Sequence, residues 1–202
     1  MDLGESQDRL TDPTRVAAVR RYEVLDAPRD GAFERYARMA AAIFSTPIST
    51  VSIVDADRVW FAAAEGLDGV TQVGVEPGLC ASAVLLDEPY VVLNATVDPR
   101  TLDHPLVRGA LGLRFYAAAP IINRDGHGLG TVSVIDRVPR TGDEISSTQM
   151  MLLSELAGAV ADLLDVKLAA LLALRAERQA LSGAPLWVLD DEIARRSAAD
   201  TD

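Results

Sequence analysis

Cys80 is the only cysteine in this chain of 202 residues and its one strong nucleophile. At a helix start, such a thiol gains thiolate character as its pKa falls. With no second cysteine an intramolecular disulfide cycle is ruled out, so any thiol chemistry would need an external thiol. The two histidines, His104 and His127, fall in a long loop and in a hairpin turn. Neither belongs to an HExxH pattern or a close His/Cys pair, so no metal site is expected and both read as surface residues. Asp55 and Asp136 each end a β-branched run, Val51-Ser52-Ile53-Val54 and Val132-Ser133-Val134-Ile135. An aspartate in that position caps the amides of the following turn. Acid–base catalysis by the pair would require the two carboxylates to converge on one pocket.

The elements that must position these groups follow from periodicity. Asp12-Pro13 predicts the start of a helix over residues 14–25, stopped by Asp26-Ala27-Pro28. Phe33, Tyr36, Ala37, Ala40, Ala41 and Phe44 recur at helical spacing, and Pro47 ends that helix. Residues 48–54 form an apolar run suited to a central strand, and Asp55-Ala56-Asp57 turns it into a second strand over residues 58–65. Residues 66–78 read as a loop and 79–86 as a short helix. A strand over residues 90–93 precedes a long connection over 94–112, of the kind that often carries function. Strands over 114–122 and 129–135 flank Asp125-Gly126, a hairpin signal. Gly128 and Gly130 join strand to strand and complete no GxGxxG pattern, so a dinucleotide site is excluded.

From Asp143 a long helix carries Met151, Leu152, Leu156, Val160, Leu163, Leu164, Leu168, Leu171, Leu172 and Leu174. That stripe is wider than one sheet-packing face needs, so part of it is expected to meet another helix. Ser182-Gly183-Ala184-Pro185 interrupts the pattern, and Trp187, Leu189 and Ile193 punctuate a short amphipathic tail that could anchor on a partner. The expected organisation is a polar tail at 1–12, one domain with its flanking helices at 13–175, and a helix end plus tail at 176–202.

Composition narrows the function. With 49% apolar and 24% charged residues the chain can bury a full core. A net charge of -11 repels nucleic acid and anionic membranes, so neither is an expected partner. The most apolar late stretch carries Asp162, Asp165 and Lys167, which argues against a membrane span. A polar, acidic amino terminus and a lone cysteine point to the cytoplasm.

The two β-branched runs ending in aspartate, together with Arg21-Tyr22-Glu23-Val24-Leu25-Asp26-Ala27-Pro28, the segment from Cys80 to Val92, and Asp98-Pro99-Arg100, resemble the GAF domain family. The likeness is to the type that precedes histidine kinases and diguanylate cyclases in bacterial sensors. It implies an α/β fold of the α+β sandwich type. A central antiparallel sheet of five or six strands would carry amino- and carboxy-terminal helices on one face, with short helices and loops over the other. It also implies a ligand pocket between the sheet and those loops, lined here by Trp60, Phe61, Cys80, Val84, Asp98, Arg114, Tyr116, Ala118, Thr131 and Ser133. In that reading Trp60 and Tyr116 stack on a planar ligand, while Arg114 binds an anion or holds Asp98. The free methionine sulfoxide reductases of the same family place a cysteine near the position of Cys80. Their chemistry needs a second one downstream, and His104-Pro105-Leu106-Val107-Arg108 contains none. The Cys-His step of bilin-binding members and the signature of cyclic-nucleotide-binding members are also missing.

The expected function is a non-catalytic, cytoplasmic sensory module without a catalytic residue or metal. It would bind a small molecule of unnamed identity and regulate a separate signalling protein as a homodimer, paired in parallel through the long carboxy-terminal helix. The competing readings are a ligand-free dimerisation scaffold and a thiol-dependent, methionine sulfoxide reductase-like enzyme using Cys80.

Overall fold

Isoleucine, valine, serine and threonine make up all of strand β1 (Ile48–Val54), and every one of them is buried. β-Branched and small side chains pack well on a pleated surface covered on both sides. The computed structural model describes residues 8–67, 69–75 and 78–182. β1 turns through Asp55 into β2 (Arg58–Glu65), and pairs on its other edge with β6 (Gly128–Asp136). β6 forms a hairpin with β5 (Phe115–Ile122), whose far edge holds β4 (Tyr90–Val92). A short strand β3 (Gln72–Gly74) closes the opposite edge, giving an antiparallel six-stranded sheet in the order β3-β2-β1-β6-β5-β4. The sandwich class and strand number expected from the sequence are those observed.

Some boundaries differ from expectation. Residues 66–78, read as a loop, contain β3, which pairs with β2 through Arg58, Val59 and Trp60. Helix α1 (Pro13–Arg21) starts as predicted, with the Asp12 carboxylate accepting from the amides of Thr14 and Arg15, but stops four residues early. Helix α2 (Glu34–Phe44) ends before Pro47, because Ser45 adopts a left-handed conformation that closes it. Helix α3 (Leu79–Val84) lies within the predicted span, and the long connection contains one helical turn, α4 (Pro105–Arg108).

Strand alternation assigns the faces. On one face Ser49 donates from Oγ to the Ala37 carbonyl of α2 at 2.6 Å, and Phe44 of α2 meets Phe115 with ring centroids 6.4 Å apart. The first part of helix α5 (Ser147–Ser182) joins α2 on this face, where Gln149 donates from Nε2 to the Ile43 carbonyl. On the other face lie α3 and α4. There Ile48, Leu79, Tyr90, Val92, Tyr116 and Ile135 belong to one apolar cluster and Val54, Val59, Phe61, Ala81 and Val84 to a second. Within the stretch read as a polar tail, residues 8–10 are helical and Leu10, 2% exposed, belongs to that second cluster.

The chain divides into two compact units, one ending at Leu164 and one starting at Asp165. In the first, α5 buries Leu153, Leu156, Ala157, Val160 and Leu164, spaced by three and four residues as a single helical face. In the second, the helix runs to Ser182, with Leu168 buried and Val166, Leu172 and Leu174 exposed. The expected tail anchors Trp187, Leu189 and Ile193 lie outside the described residues. No helix among the described residues is long and apolar enough to cross a membrane.

Candidate functional site

The two strand-ending aspartates lie at opposite ends of the sheet. Ile48 pairs with Ile135, which sets Asp136 beside the start of β1, whereas Asp55 follows its end. At about 3.3 Å per residue they are more than about 20 Å apart and share no pocket. Each is structural. Asp136 accepts from the Val138 amide at 3.1 Å and pairs with Arg140 at 3.0 Å, while Asp55 pairs with Arg20 at 3.3 Å. Among the described residues no group of three His, Cys, Asp or Glu side chains is placed to hold a metal.

A cavity of about 410 Å³ lies over the face that carries α3 and α4. Its floor is Thr50 of β1, Val59 and Phe61 of β2, Tyr116 of β5 and Ile135 of β6; its sides are Leu79 and Cys80 of α3 and the 104–113 connection. Leu67, Val70, Val73 and Gly74, from the β2–β3 connection and β3, form the rim. Arg29 fastens this rim, donating to the Phe61 and Val70 carbonyls.

Of the ten residues expected at a pocket, Phe61, Cys80 and Tyr116 line this cavity. Trp60 is half-buried and alternates to the opposite face, because its neighbours Val59 and Phe61 both point in. Val84 and Ala118 are consumed in the two apolar clusters. Thr131 and Ser133 are buried under α3, with their hydroxyls 2.8 Å from those of Ser52 and Thr50 across the β1–β6 ladder. Arg114 spends its Nη1 on the Val107 and Leu113 carbonyls. It does not hold Asp98. That carboxylate takes two hydrogen bonds from the guanidinium of Arg100, which also caps the Val91 carbonyl and stacks 4.7 Å over the Tyr90 ring.

The hydrogen bonds from Arg100 hold the Asp98 carboxyl below its usual range, against an opposing effect of partial burial. A depressed folded-state pKa stabilises above the ordinary value near 3.9 and that stability is lost as pH falls through the folded value. Asp98→Asn should therefore flatten the acid limb of the stability curve below about pH 4, by less than about 1 kcal/mol because Arg100 is half in solvent. Urea unfolding of both proteins across the acid range checks it; an unchanged limb counts against the assignment.

The sequence reading missed Thr50, His104 and most of the apolar wall. Period-two alternation from Phe61 would have pointed to Val59. His104 is buried and not a surface residue: its Nδ1 accepts from the Leu106 amide at 3.1 Å, capping α4. An accepting Nδ1 carries no proton, so the ring is neutral. Cys80 is half-buried on the wall, and its Sγ accepts from Tyr116 Oη at 3.4 Å. Burial pushes the Tyr116 phenol well above its ordinary value of 10, so it is a neutral donor.

A six-stranded antiparallel sheet, helices on one face and a loop-roofed cavity on the other define an α+β sandwich domain. The GAF domain profile matches residues 14–164, and the chain belongs to that family. A cyclic di-GMP phosphodiesterase of Pseudomonas aeruginosa is 41% identical over 127 residues, which is 63% of this chain and 22% of that protein. The chain thus spans 22% of the curated relative it matches. Among solved structures, the GAF domain of an Acinetobacter phosphoenolpyruvate-protein phosphotransferase superimposes with a TM-score of 0.56 at 15% identity, covering 78% of this chain and 96% of that one. A free methionine-R-sulfoxide reductase from Neisseria meningitidis, solved with its substrate, gives 0.56 at 18% identity over 78% of this chain and 88% of its own. At these identities the structures speak to the fold alone.

Proposed function

We propose that this chain is a non-catalytic sensory GAF module that binds a small molecule in the cavity over Tyr116 and passes its occupancy to an output protein. The observation that carries the reading is the cavity itself, about 410 Å³ beside a tightly packed sheet whose other face is filled by α2 and α5. That size falls within the range of small-molecule sites. Membership of a family of regulatory domains supports the sensory role. A non-catalytic role is supported by the separation of Asp55 from Asp136 and by the absence of a second cysteine to complete a reductase cycle.

The same reading makes the protein a cytoplasmic homodimer that pairs through α5. Val166, Leu172 and Leu174 expose an apolar surface on that helix which a second helix would cover. Signalling then requires the ligand to bind two helix arrangements with different affinity. The activity named for the Pseudomonas relative is not carried over, because a cyclic dinucleotide presents two phosphates and no Arg or Lys lies on the described cavity wall.

Native mass spectrometry of freshly purified protein tests both parts. A dimer with added mass is expected. A bare dimer would favour the scaffold reading, in which α5 acts without a ligand. A monomer at working concentration would overturn pairing through α5.

A further inference from the structure

Resting on that reading of the cavity, we infer that its ligand is a neutral, largely apolar molecule with one hydrogen-bond acceptor set against Tyr116, and that phosphate- or carboxylate-bearing molecules are excluded. The described wall carries no Asp, Glu, Lys or Arg. Its histidine is neutral, with Nδ1 committed to the Leu106 amide. Among the described residues, Arg114 is engaged on two backbone carbonyls, Asp98 on Arg100, and Arg29 on the Phe61 and Val70 carbonyls. An anion entering this space would lose its hydration without gaining a counter-charge, a cost of several powers of ten in affinity.

Among the described lining residues, Tyr116 offers a hydroxyl for polar recognition inside the cavity. Thr50 has its hydroxyl 2.8 Å from that of Ser133, a bond across the sheet that a ligand would have to share. Tyr116, 1% exposed, donates to the Cys80 sulfur at 3.4 Å. Sulfur is a weak acceptor, and a ligand carbonyl or ether oxygen would take that proton in its place. The phenol cannot ionise near neutral pH, so the site offers a donor at every physiological pH. The ligand is thereby specified as an acceptor at one end and hydrocarbon at the other.

The test uses fluorescent probes on the whole chain. N-phenyl-1-naphthylamine and its 8-sulfonate share a ring system and differ by one negative charge. The expected result is saturable binding of the neutral probe, and binding of the sulfonate weaker by at least about a hundredfold. Val73→Trp and Leu111→Trp, each placing an indole on the wall, should each abolish the neutral probe's binding; two variants are used so that one misfolded protein does not decide the matter. A third probe, 6-propionyl-2-dimethylaminonaphthalene, carries a ketone. Its affinity should fall about tenfold in Tyr116→Phe, while that of N-phenyl-1-naphthylamine holds.

Equal binding of the sulfonate, lost in the wall variants, would overturn the charge-free class while leaving a ligand-binding cavity in place. A ketone probe indifferent to Tyr116→Phe would overturn the acceptor assignment. No binding of any probe, together with a bare mass spectrum, would instead overturn the cavity as a ligand site.

Discussion

Gly130→Ala should yield little or no folded protein. Gly130 lies in β6 between Ile53 of β1 and Ile121 of β5, at the centre of the sheet. A methyl group there would sit 1.8 Å from the Ser52 carbonyl oxygen and 2.8 Å from its carbon. Both atoms are backbone, and β1 is held on its other edge by β2, so neither strand can retreat without breaking a ladder. Overpacking usually costs about 1–3 kcal/mol, and because this clash is with fixed backbone the loss should exceed that, at about 4 kcal/mol or more. Gly126→Ala is the control. That glycine has φ +82° and open space around its Cβ position, so alanine there bears only backbone strain of about 1–2 kcal/mol. Soluble yield and urea midpoints compare the two, and a Gly130→Ala protein with a native midpoint would defeat the argument.

Gly130 also illustrates what could be read from the sequence. The strands around it were legible because Ile48–Val54 and the run ending at Asp136 are β-branched over lengths a buried strand needs, and Asp125-Gly126 marked the hairpin between β5 and β6. β3 was not legible. Gln72, Val73 and Gly74 have no strand pattern of their own and form one only because β2 offers an open edge. The sheet's cavity face was half-legible: Phe61 and Tyr116 were found, but choosing Trp60 beside Phe61 ignored that successive strand residues point to opposite faces. Asp98 and Arg114 were matched by charge, whereas the actual partner of Asp98 is Arg100, two residues away and able to fork both carboxylate oxygens. Such choices between possible partners are settled by chain geometry, which charge alone does not encode.

Arg15 was invisible for the same reason, and its replacement is the second large expected effect. In sequence it is one of several arginines on a polar helix. In the fold it is buried, donating from Nε and Nη2 to the Leu10 carbonyl at 2.8 and 2.6 Å, from Nη1 to Val54 and Gly128, and from Nη2 to Asp55. One guanidinium thereby ties the amino-terminal segment to the end of β1 and the start of β6. Burial pushes its pKa down, opposed by the charges of Asp55 and Asp12, but a guanidinium remains charged at neutral pH. Arg15→Met keeps the stem and leaves buried carbonyls without donors, which should cost about 3–5 kcal/mol and lower the melting temperature by on the order of 10 °C. Arg15→Lys should recover only part of this, since an ammonium cannot reproduce the planar fork that reaches four carbonyls. The consequence should extend to the cavity. Leu10 is held by these bonds and packs in the cluster with Val59 and Phe61, which form part of the cavity floor. Loosening it should weaken neutral-probe binding several-fold under conditions where Arg15→Met is still folded. Thermal melts and probe titrations side by side check both effects. A variant with an unchanged melt would show that the carbonyls find water at no cost, and one that melts early yet binds the probe normally would separate the amino-terminal clamp from the cavity it adjoins.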